Sequence, residues 1–199
     1  MTTYGVVTFN GAEELDFVGP WEVFTVSAMV HGVDTPDRVV LIAETMDPVR
    51  CNKGLRVLPD ATFTDHPVLD VVLVPGGMGT RQQVENSVLL DWLAAVSATA
   101  EWATSVCTGS LLLHACGVAK DKRVATHWSF EDTLEARGNI IVVRDARWVR
   151  DGKVVTSQGV SAGIDMALWL IGQIDSPAHA KAVQRYIQYE PAPPYQAEV

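Results

Sequence analysis

The sequence predicts an α/β fold, with a largely parallel sheet covered by helices on both faces. Three observations predict it. Short apolar runs alternate with longer segments of helical spacing, the pattern of strand–helix–strand units. The runs YGVVTF, RVVLIAE and VLDVVLV are apolar throughout rather than alternating, as strands buried on both faces must be. Two of these strands, and the one before Cys107, run straight into turn residues: Asn10-Gly11, Pro75-Gly76-Gly77 and Cys107-Thr108-Gly109.

Tyr4 to Phe9 reads as the first strand. Gly19-Pro20 then breaks the chain, and Pro20 fits the first turn of a helix reaching about Val30. Asp16 accordingly falls in the loop after strand one. A polar connection from His31 to Asp37 leads to a strand at Arg38 to Glu44. Met46 to Phe63 carries Pro48, Gly54 and Pro59 and reads as a small β-hairpin excursion. Val68 to Val74 is a third buried strand. Ser87 to Ala100 places Val88, Leu89, Trp92, Leu93 and Val96 on one helical face, with Ser87 as its cap. Ala103 to Val106 is a strand, followed by a helix from near Ser110 to about Gly117.

Arg123 to Thr126, Asn139 to Val143 and Ala146 to Arg150 are strand candidates, and Phe130 to Arg137 is helical. Asp151-Gly152 marks a hairpin into Lys153 to Ser157. Helices follow over Val160 to Ile174 and Pro177 to Tyr189, then a proline-rich irregular tail. With no linker or repeat, residues 1–199 read as one domain.

Composition narrows the function. The chain has 24 acidic and 15 basic residues and a formal charge of −9, which argues against nucleic acid or an anionic membrane as partner. No apolar run is long enough to span a bilayer. Three cysteines, Cys51, Cys107 and Cys116, fit no zinc motif. With no signal peptide they suggest free thiols in a reducing cytoplasm.

In open parallel sheets the ligand site lies outside the carboxyl ends of the strands. That rule gathers the Asp16 loop, the Pro75–Gly77 turn and Cys107. A cysteine at a sharp strand-to-helix turn is thrust out of the sheet, as the serine of a nucleophile elbow is. The unpaired N–H groups of the new helix favour its thiolate. A carboxyl, a glycine turn and a thiol at one locus form a catalytic constellation. Asp16 could also be a helix cap, and Cys107 a buried structural cysteine.

The segments LDFVGPWEVF, VLVPGGMGT, SVCTGSLLL, ATHWSFEDTL, TSQGVSAGIDMAL and YEPAPPY, in that order, resemble the isonitrile hydratases. These belong to the ThiJ/PfpI group of the class I glutamine amidotransferase-like superfamily. The resemblance runs from about Tyr4 to Tyr195. It implies a flavodoxin-like α/β fold with a cysteine nucleophile elbow, a homodimer, a small-molecule substrate such as an isocyanide, and no metal or organic cofactor. It also implies residue roles. Cys107 is the nucleophile and Asp16 its acid/base partner. Thr108 helps hold the Asp16 carboxyl, and the N–H groups of Gly77 and Thr108, beside Gly76, line an anion-stabilising pocket.

Thr108 stands where related peptidases and glyoxalase-like members have histidine after the cysteine, so the adjacent Cys-His pair is absent. SQGVSAG likewise lacks the distant histidine of an amidotransferase triad. His127 is the remaining base candidate, and beside Trp128 it reads as pocket wall rather than base. His114 reads as a satisfied buried or interface histidine, and Cys51 and Cys116 as structural. The alternatives are another cysteine hydrolase, directed at amides or glyoxals, or a redox-sensing or ligand-binding protein. A regulator would need an appended helix-turn-helix, for which no length remains before Val199.

Overall fold

The computed structural model describes residues 1–32 and 37–192. Part of the polar connection, Pro36 included, and the last part of the proline-rich tail lie outside the described residues.

The main sheet contains seven strands: β1 (Thr3–Val7), β2 (Arg38–Ala43), β5 (Ala61–Thr62), β6 (Val71–Val74), β7 (Trp102–Val106), β10 (Trp148–Asp151) and β11 (Val154–Ser157). Their order is β10-β11-β7-β6-β1-β2-β5, and every neighbouring pair is parallel except β10–β11. The exception is the hairpin turned at Gly152. The apolar runs lie where their composition requires. All four residues of β6 are fully buried, each contributing about 1.5–3 kcal/mol by leaving water.

Between the strands lie α1 (Glu14–His31), α2 (Thr80–Gln83), α3 (Ser87–Thr99), α4 (Gly109–Ala115) and α5 (Glu131–Glu135), and α6 (Ala162–Ile174) and α7 (Pro177–Tyr186) follow the last strand. The chain steps one way from β1 to β2 and the other way from β6 to β7. Right-handed crossovers therefore put α1 and α3 on opposite faces. α6 and α7 pack with α1, and α4 packs with α3. The reversal of direction opens a crevice at the carboxyl ends of β1 and β6.

Several boundaries depart from the sequence reading. α1 begins at Glu14, so Asp16 sits in a helical first turn rather than a loop, and Pro20 lies inside the helix. A proline lacks an N–H, which is harmless only in a first turn, hence the reading of Gly19-Pro20 as a start. Here the unserved i−4 carbonyl belongs to Asp16. The cap of α3 is Asn86, whose side chain accepts from the N–H groups of Val88 and Leu89, not Ser87. α2 was not foreseen, being a single turn. The strands β8 (Arg123–Val124) and β9 (Ile141–Val142) form a separate parallel pair outside the main sheet. The excursion after β2 is the hairpin β3 (Val49–Arg50) and β4 (Arg56–Val57). It is tied onto the loop after β1: Gly11 N–H donates to Arg50 O and Asn52 N–H to Ala12 O, both at 2.8 Å.

Candidate active site

Cys107 occupies the turn between β7 and α4 with φ of 56°, a left-handed conformation uncommon for a side-chain-bearing residue. Such a conformation costs about 1–3 kcal/mol and persists only when neighbours hold it. They do so at both ends of the residue. Its N–H donates to Ser157 O at 3.1 Å, and its carbonyl accepts from Thr126 Oγ1 at 3.0 Å and Ser110 Oγ at 3.1 Å.

Asp16 is fully buried beside it. The Gly76 N–H donates to Asp16 Oδ2 at 2.9 Å. Oδ1 has no hydrogen-bond partner among the described residues. The neighbouring Cys107 thiol favours the carboxylate, a smaller effect than burial. Burial pushes the Asp16 carboxyl up to about 7, against the lowering effect of the Gly76 N–H. Burial, then the negative charge of Asp16, pushes the Cys107 thiol up to about 12, although the Thr108 N–H favours the thiolate. Burial beside a second acid thus works against the thiolate that the elbow's donors favour, and it keeps the Asp16 carboxyl able to take or give a proton near neutral pH. Burial also holds Cys51 and Cys116 up to about 11, so it is geometry that singles out Cys107.

Thr108 makes no hydrogen bond to Asp16. Its Oγ1 accepts from the Gly77 N–H at 3.1 Å and from Thr80 Oγ1 at 3.2 Å. This corrects two expectations. The Asp16 carboxyl is held by Gly76, and the Gly77 N–H is occupied by Thr108 rather than free for an anion. Gly76 could carry no side chain. A Cβ there would lie 2.5 Å from Thr108 N and 2.9 Å from Asp16 Oδ2.

His127 lines a cavity of about 160 Å³ that opens on Cys107, together with Glu13, Asn52, Gly77, Arg81 and Ser129. Its Nδ1 accepts from the Ser129 N–H at 3.2 Å, which leaves Nε2 to carry the proton. Burial, then the Arg81 charge, lowers its pKa, so the ring is neutral. Trp128 is not pocket wall: it is 74% exposed and lies outside the cavity lining. A three-residue 3₁₀ turn at Trp128–Phe130 points it outward. His114 is buried and only half satisfied: its Nε2 bonds to Gly138 O at 3.0 Å, while Nδ1 has no partner among the described residues.

Sequence reasoning missed Glu13, Asn52, Arg81 and Gly159. Glu13 Oε2 accepts from Asn52 Nδ2 at 3.0 Å and Glu13 pairs with Lys53, closing the hairpin over the site. Arg81 Nη1 donates to Gly77 O at 3.1 Å and stacks its guanidinium 4.7 Å from the Phe130 ring centroid. Gly159 admits both Cys107 and His127, since a Cβ there would be 3.1 Å from Sγ and 2.4 Å from the ring Cδ2. The glycine in SQGVSAG was the available signal for Gly159. Nothing local marked the others. Among the described residues no group of His, Cys, Asp and Glu at this site is arranged to hold a metal ion.

Comparison with known proteins agrees with this geometry. Residues 4–173 match the DJ-1/PfpI family. The chain is 41% identical over 192 residues to the isonitrile hydratase of Pseudomonas putida, covering 96% of this chain and 80% of that protein. It is 26% identical over 142 residues to the glutathione-independent glyoxalase DJR-1.2 of Caenorhabditis elegans, covering 70% of this chain and 75% of that protein. A crystal structure of a ThiJ/PfpI family protein from Pseudomonas syringae superposes with a TM-score of 0.90 at 32% identity, over 100% of this chain and 79% of the other. The sheet order, the cysteine elbow and these likenesses agree, and the chain belongs to the DJ-1/PfpI family.

Proposed function

We propose that this chain is an enzyme that adds water to an isocyanide, giving an N-substituted formamide. The observation that carries the reading is the buried Asp16 carboxyl. It is fixed on one oxygen by Gly76, lies beside the Cys107 thiol, and is raised to about 7. A group so placed can give and take one proton near neutral pH.

In the first step the Asp16 carboxylate takes the thiol proton as Sγ attacks the terminal isocyanide carbon. The carboxyl returns that proton to the same carbon. A C–S and a C–H bond form, one C–N π bond is spent, and a thioimidate results. Asp16 then removes a proton from water as the water oxygen bonds to that carbon, and passes it to the nitrogen. The C–S bond then breaks as the C=O bond forms, Asp16 carries the hydroxyl proton to the departing sulfur, and the formamide and the thiol are left. The Thr108 N–H steadies the sulfur as charge develops. The neutral His127 offers its Nε2–H to the substrate from the cavity wall.

The likeness to the Pseudomonas putida isonitrile hydratase supports this substrate over a glyoxal. So does Thr108 in place of a histidine next to the nucleophile. The enzyme works as a homodimer. Leu15, Val18 and Met29, exposed on one side of α1, support that assembly, as does exposed Trp128. Turnover of cyclohexyl isocyanide by the wild type, with none by Cys107→Ala, tests the reading; methylglyoxal turnover without isocyanide turnover would overturn it. Light scattering of the eluting protein tests the dimer.

A further inference from the structure

A second group of reactive side chains lies at the opposite, amino edge of the sheet. His31 ends α1, Asp175 follows α6, His179 lies in the first turn of α7, and Asp37 immediately precedes β2. The reaction at Cys107 makes no use of any of them. His31 Nε2 is 3.1 Å from Asp175 Oδ1, and His179 Nε2 is 4.0 Å from Asp175 Oδ2. On its other side His31 Nδ1 is 3.3 Å from Asp37 Oδ2. The Asp37 side chain is only 3% exposed. Among the described residues its Oδ2 has no hydrogen-bond partner, and neither does the buried hydroxyl of Tyr4.

We propose that His31, Asp175 and His179 bind one zinc-class divalent cation, with Asp37 orienting the His31 ring. Imidazole and carboxylate donors suit such ions, and two carboxylates balance a double positive charge while both histidines stay neutral. Two ligands on a tetrahedral zinc with bonds of about 2.05 Å lie roughly 3.4 Å apart, close to the His31–Asp175 separation. A histidine that binds metal through one nitrogen and meets a carboxylate at the other is the usual supporting arrangement. Asp37 Oδ2 lies 3.3 Å from His31 Nδ1, in place to form that bond, though neither atom has a hydrogen-bond partner among the described residues as the site stands. The three ligand atoms already lie within 4.8 Å of one another. Closing on the ion requires the His179 ring to turn off its stack on His31, where the centroids are 4.0 Å apart, and to give up its bond to Ser27 Oγ at 2.8 Å. Ser27 or water completes the coordination. The ion clamps the ends of α1 and α6 to the start of α7. Its role is structural, because it sits at the sheet edge away from Cys107.

The test is a Co²⁺ titration of full-length Cys107→Ser protein, which lacks the active-site thiol, followed by Zn²⁺ displacement and thermal melting. One equivalent of Co²⁺ should bind, giving intensified ligand-field bands without a thiolate charge-transfer band, and Zn²⁺ should raise the melting temperature. His31→Gln or His179→Gln should weaken binding at least tenfold. Asp37→Asn should weaken it about 10–100-fold while leaving the stoichiometry unchanged. Circular dichroism checks that each variant is folded, and if His31→Gln is not, His179→Gln decides. Three results overturn the proposal: no uptake at submillimolar metal, uptake with a thiolate band, or binding unchanged in the histidine variants. No uptake combined with lower melting of the histidine variants would identify an ion-pair cluster without a metal.

Discussion

The Gly76 N–H and the Asp16 carboxyl meet at 2.9 Å across 60 positions of sequence. That contact leaves the other oxygen, Oδ1, without a partner among the described residues. It also draws the turn after β6 against the first turn of α1, so that Asp16 and Cys107, which follow different strands, are brought to one place.

Asp16→Asn keeps the shape of the side chain but cannot shuttle a proton. Its kcat/KM for cyclohexyl isocyanide should fall roughly 10²–10⁴-fold. In the wild type kcat/KM should rise with pH through about 7, as the Asp16 carboxylate that receives the thiol proton forms. A pH profile flat from 5 to 9 would remove Asp16 from this role.

The same burial makes Asp16 costly to the fold. The folded protein holds the Asp16 proton up to about pH 7, whereas an ordinary aspartate in the unfolded chain releases it near 3.8. Stability from this group is thus complete below the unfolded value and is lost as pH rises through the folded one. The ionised form is disfavoured by roughly 4 kcal/mol. Asp16→Asn should therefore be more stable than the wild type by about 1–3 kcal/mol at pH 8. The gap should close toward pH 4, and urea melts at the two pH values check it.

Gly76→Ala forces a methyl group between Thr108 N and Asp16 Oδ2. The contacts are to backbone and to a held carboxylate, so they cannot simply relax. Stability should drop by about 2–4 kcal/mol and turnover by at least roughly 10²-fold. A variant with normal kcat would mean that the Gly76 contact does not position Asp16.

Gly159→Ala tests the packing behind Cys107 and His127. The added methyl meets the edge of the His127 ring, which can swing, and Sγ of Cys107. The fold should survive with a stability loss under about 1.5 kcal/mol, while kcat/KM falls about 10–100-fold. Thermal melting and steady-state kinetics separate the two effects.

His127→Gln distinguishes a donor from a base. The neutral ring, with Nδ1 taken by Ser129, predicts a loss of about tenfold with the rise near pH 7 retained. Loss of that rise with activity down more than roughly 10³-fold would make His127 the base instead.

Much of this was legible in the chain itself. Buried strands announce themselves by uninterrupted apolar composition, and the turn at Cys107 by a strand running into Thr-Gly before a helix. The order of the strands within the sheet came only from the structure. Asp16, Gly76 and Cys107 could be grouped by a rule of topology, because the carboxyl ends of parallel strands share one edge. His127 was read as lining the site and does so. Trp128 was misjudged because neighbours in sequence diverge in a 3₁₀ turn. The start of α1 was misjudged because Pro20 obeys a local rule that tertiary packing overrides.

By itself, the sequence determined the layered α/β architecture and singled out Cys107 and Asp16 as the candidate nucleophile and its carboxyl, since both readings depend on local pattern and chain order. Only the tertiary structure decided the rest. It assigned Gly76 rather than Thr108 to the Asp16 carboxyl, brought Glu13, Asn52 and Arg81 to the cavity, set Gly159 against Cys107 and His127, and buried both acids of the pair. Those outcomes depend on distances between segments far apart in the chain. They depend equally on burial, which raises both acids against the pull of the elbow's own donors.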